Sequence, residues 1–209
     1  ITTKKGKQGK TQLSYNGNVS IGTAAKYLDV MNATQFKAVV NQLAATGAAG
    51  IDATALSKLG SANTDWQKEI FRTSVSNDHN VGVSGTAGKN LPYRVSYGFT
   101  DQEGILKTTS VKRHSLNLNL SPALLNGDLK LNLSLKGSYA TSNFGDEGAV
   151  GNAVSFDPTQ PVSDKNDATL TPYGGYFSWL ARGTPQIVNG NSNPVAMLEQ
   201  TDNQGVVQR

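Results

Sequence analysis

The sequence predicts a mainly β fold: about five antiparallel strands forming a section of a transmembrane β-barrel, with short helices in the first long loop. Three observations lead there. Stretches of about ten residues alternate between apolar and small polar side chains. The polar load is carried by amides and hydroxyls instead of charge. The connections are short at one end of the strands and long at the other.

Alternation is clearest at residues 10–21, where Leu13, Tyr15, Val19 and Ile21 oppose Gln12, Ser14, Asn16, Asn18 and Ser20. Residues 129–141 repeat it, with Leu129, Leu131, Leu133, Leu135 and Tyr139 against Lys130, Asn132, Ser134, Lys136 and Ser138. Side chains of a strand point to opposite faces with period two, so each stretch is a ribbon with one apolar and one polar face. By itself that pattern suits a soluble sandwich or a membrane barrel.

Composition leans toward the barrel. Only 16% of the 209 residues are charged, against about 25% in soluble domains, and Gly, Asn, Ser and Thr fill the difference. A barrel with a wet lumen and a lipid-facing outside has this make-up. The net charge is +4, but its one dense basic run is Lys4–Lys10 and no nucleic-acid module accompanies it, so no nucleic-acid partner is expected. With no cysteine, disulfides and thiolate metal sites are excluded. No apolar run reaches the ~18 residues of a spanning helix, whereas a barrel strand needs only ~9–11. The chain starts at Ile1 without methionine or signal peptide, and reads as a processed or truncated piece.

Three further strands are expected. In 75–85, Val75, Val81 and Val83 share a face with His79. In 93–100, Tyr93, Val95, Tyr97 and Phe99 oppose Arg94, Ser96 and Thr100. In 111–120, Leu116, Leu118 and Leu120 oppose Asn117 and Asn119. Residues 22–74 carry helix signals: Asn32-Ala-Thr-Gln35 and Thr64-Asp-Trp-Gln67 have capping-box form, and Asp52 is placed to cap a helix between them. Thr86–Leu91 and Ser121–Asp128 are turns, Asp101–Ser110 is compact, and 142–209 is a long Gly- and Pro-bearing stretch without an expected strand. With the first strand rising from the periplasm, the turns fall inside and the elaborated loops outside, which is the habit of outer-membrane barrels. Five strands cannot close, because open edges are intolerable in lipid. The remainder must come from elsewhere in the protein or from other chains.

Longer words in the sequence carry a family resemblance. Ile1-Thr-Thr-Lys-Lys-Gly-Lys7 resembles the end of the plug domain in SusC/RagA-type TonB-dependent transporters. Asn63-Thr-Asp-Trp-Gln-Lys-Glu-Ile-Phe-Arg72 is similar to their first-loop helix, and His79–Gly85 to the strand that follows. Pro92–Leu106, Leu116–Pro122, Phe156–Pro161 and Asn193–Gln200 resemble further family stretches, in order along the chain. The resemblance implies a plug inside a large barrel of roughly 22 strands in the bacterial outer membrane. It implies import of oligosaccharides or oligopeptides with a SusD-like surface lipoprotein as lid, energised through the TonB complex. It admits a dimer of such pairs, and implies neither bond chemistry nor a cofactor. Residues 1–9 then correspond to the plug's end and linker, and 10–209 to the first part of the barrel, with extracellular loops 22–74 and 142–209. The TonB-contacting segment and most of the plug have no counterpart here.

Each site-like motif has a plainer reading beside it. Gly6-Lys-Gln-Gly-Lys-Thr11 lacks the first glycine of a phosphate loop, since Lys4 stands there, and a strand follows it instead of a helix. Gly145, Gly148 and Gly151 lack dinucleotide spacing. The sequons at Asn18, Asn119 and Asn132 are what alternating Asn and Ser generate, and Asn32 is better explained as a helix cap. His79 and His114 have no triad or metal partner at a telling spacing. Asp164, Asn166 and Asp167 lack the EF-hand pattern and read as a solvated loop; no metal site is expected. The adjacent Asp146 and Glu147 do not make the separated carboxylates of a glycosidase. Trp66, Phe71, Tyr173, Tyr176, Phe177 and Trp179 are the candidates for substrate or lid contact from the loops, with packing of the loops as the plainer alternative, above all for Trp66. Arg94, Asn117, Asn119, Lys130, Asn132 and Lys136 are expected to face the lumen or plug, and Tyr93, Tyr97, Phe99 and Tyr139 the lipid. The competing class is a soluble β-rich surface module that binds glycan without transport.

Overall fold

The computed structural model describes residues 9–48, 51–88, 90–125, 128–179, 181, 192–200 and 206–208. Its frame is a single antiparallel sheet. Strands β1 (Gln12–Gly22), β2 (Ser74–Ala87), β3 (Leu91–Glu103), β4 (Ser110–Leu120), β7 (Leu133–Asn143) and β8 (Val206–Gln208) lie side by side in that order. A two-stranded hairpin, β5 (Ala123–Leu124) with β6 (Leu129–Lys130), interrupts the path from β4 to β7.

Register keeps the two faces separate across five strands. Tyr15 pairs with Val81, Val81 with Tyr97, Tyr97 with Leu116 and Leu116 with Gly137. The next row toward the turns runs Leu13, Val83, Val95, Leu118, Leu135. Because a slip of one residue would exchange the faces, this register makes one continuous apolar face and one continuous polar face.

Among the described residues, no second layer packs on the apolar face. Leu13 is 74% exposed and Leu135 63%. The buried core lies in the connections at the long-loop end. Helices α1 (Ala33–Ala45), α2 (Ala53–Ser57) and α3 (Trp66–Ile70) arise from residues 22–74, and α4 (Gly148–Ser155), a 3-10 turn (Ala168–Tyr173) and α5 (Pro194–Gln200) from the stretch after β7. Ile70 of α3, Ala149 and Ala153 of α4, and Val195 and Leu198 of α5 are buried together with Phe156. The two loops thus fold into one cap.

Three expectations change. Residues 129–141 are not one strand: Leu129–Lys130 pairs with Ala123–Leu124, Leu131 donates its N–H to the Pro122 carbonyl at 3.0 Å, and the long strand begins at Leu133. Alternation survives the break, since periodicity carries no information about the pairing partner. The stretch after β7 forms helices and a short strand, β8, where a loop without strands is expected. The third concerns α3, whose N-cap is Asp65, not Thr64. Gln67 closes no capping box but clamps Leu28, accepting from its N–H and donating to its carbonyl, each at 2.8 Å. Asn32 and Gln35 do form the reciprocal box, and the Asp52 side chain caps α2.

Candidate functional site: the polar face and the loop cap

The polar face offers a row of small side chains with a few long ones between them. Ser14, Gly82, Ser96, Asn117 and Lys136 are successive register partners across β1, β2, β3, β4 and β7. In the adjoining row stand Gln12, Ser84, Arg94, Asn119 and Ser134. Four of the six expected lumenal residues, Arg94, Asn117, Asn119 and Lys136, meet around one hollow of about 240 Å³, together with Ser96, Leu118 and Ser134. Asn132 lies beyond the start of β7, yet its Oδ1 accepts from Asn119 Nδ2 at 3.2 Å. Lys130 is set apart on the β5–β6 hairpin, opposite Ala123. Ser96, Ser134 and the gap at Gly82 were not singled out from sequence. Their shared strand parity with Arg94 and Lys136 is the signal that finds them, once the register is known.

The aromatic loop candidates divide differently. Trp66 is 3% exposed and Phe177 2%. Trp66 stacks edge-on against Phe156 at 4.7 Å between ring centroids, and Phe156 meets Phe177 at 6.2 Å. Trp66 Nε1 also donates to the Asp157 carbonyl at 3.0 Å. The rings of Trp66 and Phe177 are thus buried in the packing that joins the two loops. Trp179 packs on Phe177 at 5.1 Å, and Phe71 pairs with Leu106 across the base of the cap. Tyr173 closes the 3-10 turn and is half-buried. Tyr176 donates its hydroxyl to the Glu199 carboxylate. That hydrogen bond, then burial, then the Glu199 charge push the phenol up to about 12.

Polar groups inside the cap are satisfied. Gly60 N–H donates to Thr159 Oγ1 at 2.9 Å, Thr64 Oγ1 to the Gln160 carbonyl at 2.6 Å, and Gln160 Nε2 to the Lys58 carbonyl at 2.8 Å. Asn193 Nδ2 donates to the Val162 carbonyl at 2.8 Å. Asp164 Oδ1 accepts from Asn166 N–H, and Asp167 Oδ1 from Thr169 N–H, each at 2.9 Å. Those carboxylates hold turns, and among the described residues no group of three acidic or histidine side chains is placed for a metal.

On the apolar face two tyrosine–histidine pairs stand out. Tyr15 Oη and His79 Nδ1 are 2.7 Å apart, as are Tyr97 Oη and His114 Nδ1. Each pair satisfies two polar atoms that would otherwise face an apolar surrounding unpaired, which costs free energy. One row further toward the cap the face turns polar, with the ion pair Lys112–Asp101 at 3.4 Å.

A sheet apolar outside, polar inside and capped by loops at one end is the wall of a membrane β-barrel. The comparisons with known proteins name the kind. No family model matches the chain. The TonB-dependent receptor SusC of Bacteroides thetaiotaomicron is 40% identical over 216 aligned residues, covering 95% of this chain and 20% of that receptor. A TonB-dependent receptor of Formosa agariphila is 28% identical over 142 residues, covering 68% of this chain and 13% of its own. The structure of the RagAB peptide transporter matches 78% of this chain with a TM-score of 0.55 at 22% identity, over 22% of its own chain. The chain belongs to the SusC/RagA-type TonB-dependent receptors and spans a fifth or less of the length of these curated relatives. They are receptors and transporters, not enzymes.

Proposed function

We propose that this chain is wall and outer loops of an outer-membrane importer that takes up oligosaccharides or oligopeptides. Residues 1–9 would lead out of the plug, and 10–209 would begin the barrel. Apolar side chains of β1–β4 and β7 meet lipid, while Arg94, Asn117, Asn119, Asn132 and Lys136 face the lumen or plug. A SusD-like lipoprotein would close the substrate cavity from outside, against the cap, and the TonB complex would act through the plug. The observation that carries this reading is the unbroken apolar face. Among the described residues no second sheet packs on the face that these five strands present in strict register, whereas a soluble sandwich requires one.

Support for this cargo reading comes from likeness to the receptor SusC and, in fold, to the RagAB peptide transporter. With Trp66 and Phe177 buried, Phe71, Tyr173, Tyr176 and Trp179, all half-buried, and the cap's outer surface are the loop groups proposed for lid or cargo. Cysteines introduced one at a time at Leu116 and Asn117 of the full-length receptor in membranes test the topology. A lipid-soluble maleimide should react at 116 and a small water-soluble one at 117. The reverse pattern would sink the proposal.

A further inference from the structure

We propose that the apolar face holds a seat for one acyl chain of a membrane lipid, built around Gly137 of β7. The inference rests on the reading of that face as lipid-facing and specifies where on it a lipid is retained. In the rows from Leu13 to His79, glycine stands on this face at Gly17 and Gly137. The two are not alike. A Cβ on Gly17 would come within 2.5 Å of Tyr15 Oη, because the Tyr15 ring lies over that glycine on its way to His79. A Cβ on Gly137 would meet nothing within 4 Å. One glycine is covered by a neighbouring ring, and the other leaves the space of a missing side chain.

That space is a hollow of about 320 Å³ between Tyr97, His114, Leu116 and Tyr139, with the Gly137 backbone at its base. Its walls are fixed. The Tyr97 Oη–His114 Nδ1 bond of 2.7 Å holds two of the rings, and Phe99 packs on His114 at 5.0 Å between ring centroids. Strands that complete the barrel extend the sheet beside β7, with side chains roughly perpendicular to it, and the plug would lie on the opposite face. The rest of the receptor therefore adds a further wall, and lipid supplies the filling. The order of side chains past the hollow matches a lipid. Along β4 this face presents Leu118, Leu116, His114 and Lys112, each about 7 Å beyond the last. An acyl tail lies against the leucines, and its ester or hydroxyl reaches the level of the imidazole and the Tyr139 phenol. The headgroup phosphate then stands level with Lys112 and Asp101, paired at 3.4 Å. An unfilled gap forfeits dispersion contacts, so a chain that fills it is held longer than bulk lipid.

The test uses full-length receptor in vesicles of phosphatidylethanolamine and phosphatidylglycerol that carry a phosphatidylcholine with a diazirine at mid-chain. Crosslinks made on illumination are mapped by mass spectrometry. Label should concentrate at Leu116, Gly137 and Tyr139 over Leu13 and Val83, which face the same way on β1 and β2. Gly137→Leu should cut label at the hollow about fivefold or more and leave Leu13 and Val83 unchanged. Gly137→Ala, which takes less of the space, should give a smaller loss, and it carries the test if Gly137→Leu does not assemble. Even labelling along the face, unaltered in both variants, overturns the seat and leaves the lipid-facing reading standing. Label at Leu13 and Val83 but not at the hollow, with a native mass of two copies that Gly137→Leu reduces to one, would assign the hollow to a second copy and overturn the lipid. Absence of label at all of these positions would overturn the lipid-facing reading itself.

Discussion

Trp66 shows how a single residue joins distant parts of this chain. Its ring packs on Phe156 and its indole N–H binds the Asp157 carbonyl, so Trp66→Ala should cost about 3–5 kcal/mol. The loss should appear as faster hydrogen exchange in α3 and α4 of the full-length receptor, with β1–β4 unchanged. Gly60 makes a sharper case. A Cβ there would come within 2.1 Å of the Thr159 carbonyl oxygen, a backbone atom that cannot swing aside. Gly60→Ala should destabilise the cap by about 1–3 kcal/mol, read as earlier protease cleavage in the outer loops; wild-type resistance would show that the contact relaxes freely. Tyr176 gives a pH signature. The folded state holds the phenol up to about 12, against 10.0 unperturbed. Its contribution to stability is therefore complete below pH 10.0 and fades as pH rises through about 12. A near-ultraviolet titration of Glu199→Gln should show one tyrosine returned toward 10.0. Trp66 was readable in advance as a packing residue because it sits beside a helix cap. Gly60 was not, since its partner lies about a hundred positions along the chain.

The strands are the elements in which local pattern and tertiary demand coincide. β4 and β7 pair Leu118 with Leu135 and Asn117 with Lys136, and parity alone tells which residues share a face. Reversing one position tests the cost of the wrong face. Leu135→Lys should destabilise insertion by about 2–4 kcal/mol at the midplane, seen as loss of heat-modifiable folded barrel. Lys136→Leu, on the other face, should leave assembly intact. The β5–β6 hairpin was invisible because residues 129–133 keep the alternating pattern while changing partner. Helices follow a different logic. Asn32 and Asp52 announce α1 and α2 through side chains that accept from N–H groups three residues on. α4 has Glu147 as its N-cap, which makes no side-chain cap bond; Asp146 Oδ1 accepts from the Gly148 N–H at 2.8 Å instead, and burial against α3 and α5 sustains the helix.

At the scale of the whole molecule, apolar surface is divided between two solvents. The cap buries its apolar residues against one another, as any water-soluble domain does, whereas the sheet leaves Leu, Val and Tyr side chains outward across five strands. Burial is worth roughly 25 cal/mol per Å², so a sheet with a bare apolar face requires lipid or detergent to hold it in solution. The full-length receptor should therefore remain monodisperse only with detergent present; a detergent-free, monodisperse species would contradict the division. Backbone and side chain both make the join between the two halves, the Arg72 guanidinium donating to the Gly104 and Thr109 carbonyls at 3.1 and 3.0 Å. Lys107 N–H donates to the Ile70 carbonyl and Arg72 N–H to the Ile105 carbonyl, at 2.9 and 2.8 Å, tying α3 to the β3–β4 connection.

The sequence by itself determined the mainly β class, the two faces of each strand, the gathering of long connections at one end of the sheet and the caps of α1 and α2. All of these depend on residues near one another in the chain, through a period of two or a spacing of three. Only the tertiary structure decided that residues 22–74 and the stretch after β7 share a single core, that Trp66 and Phe177 are consumed by it, and that Arg94 leans over Gly82. Those outcomes turn on which strands lie side by side and on which loop meets which, and contacts between such distant residues leave no local mark in the sequence.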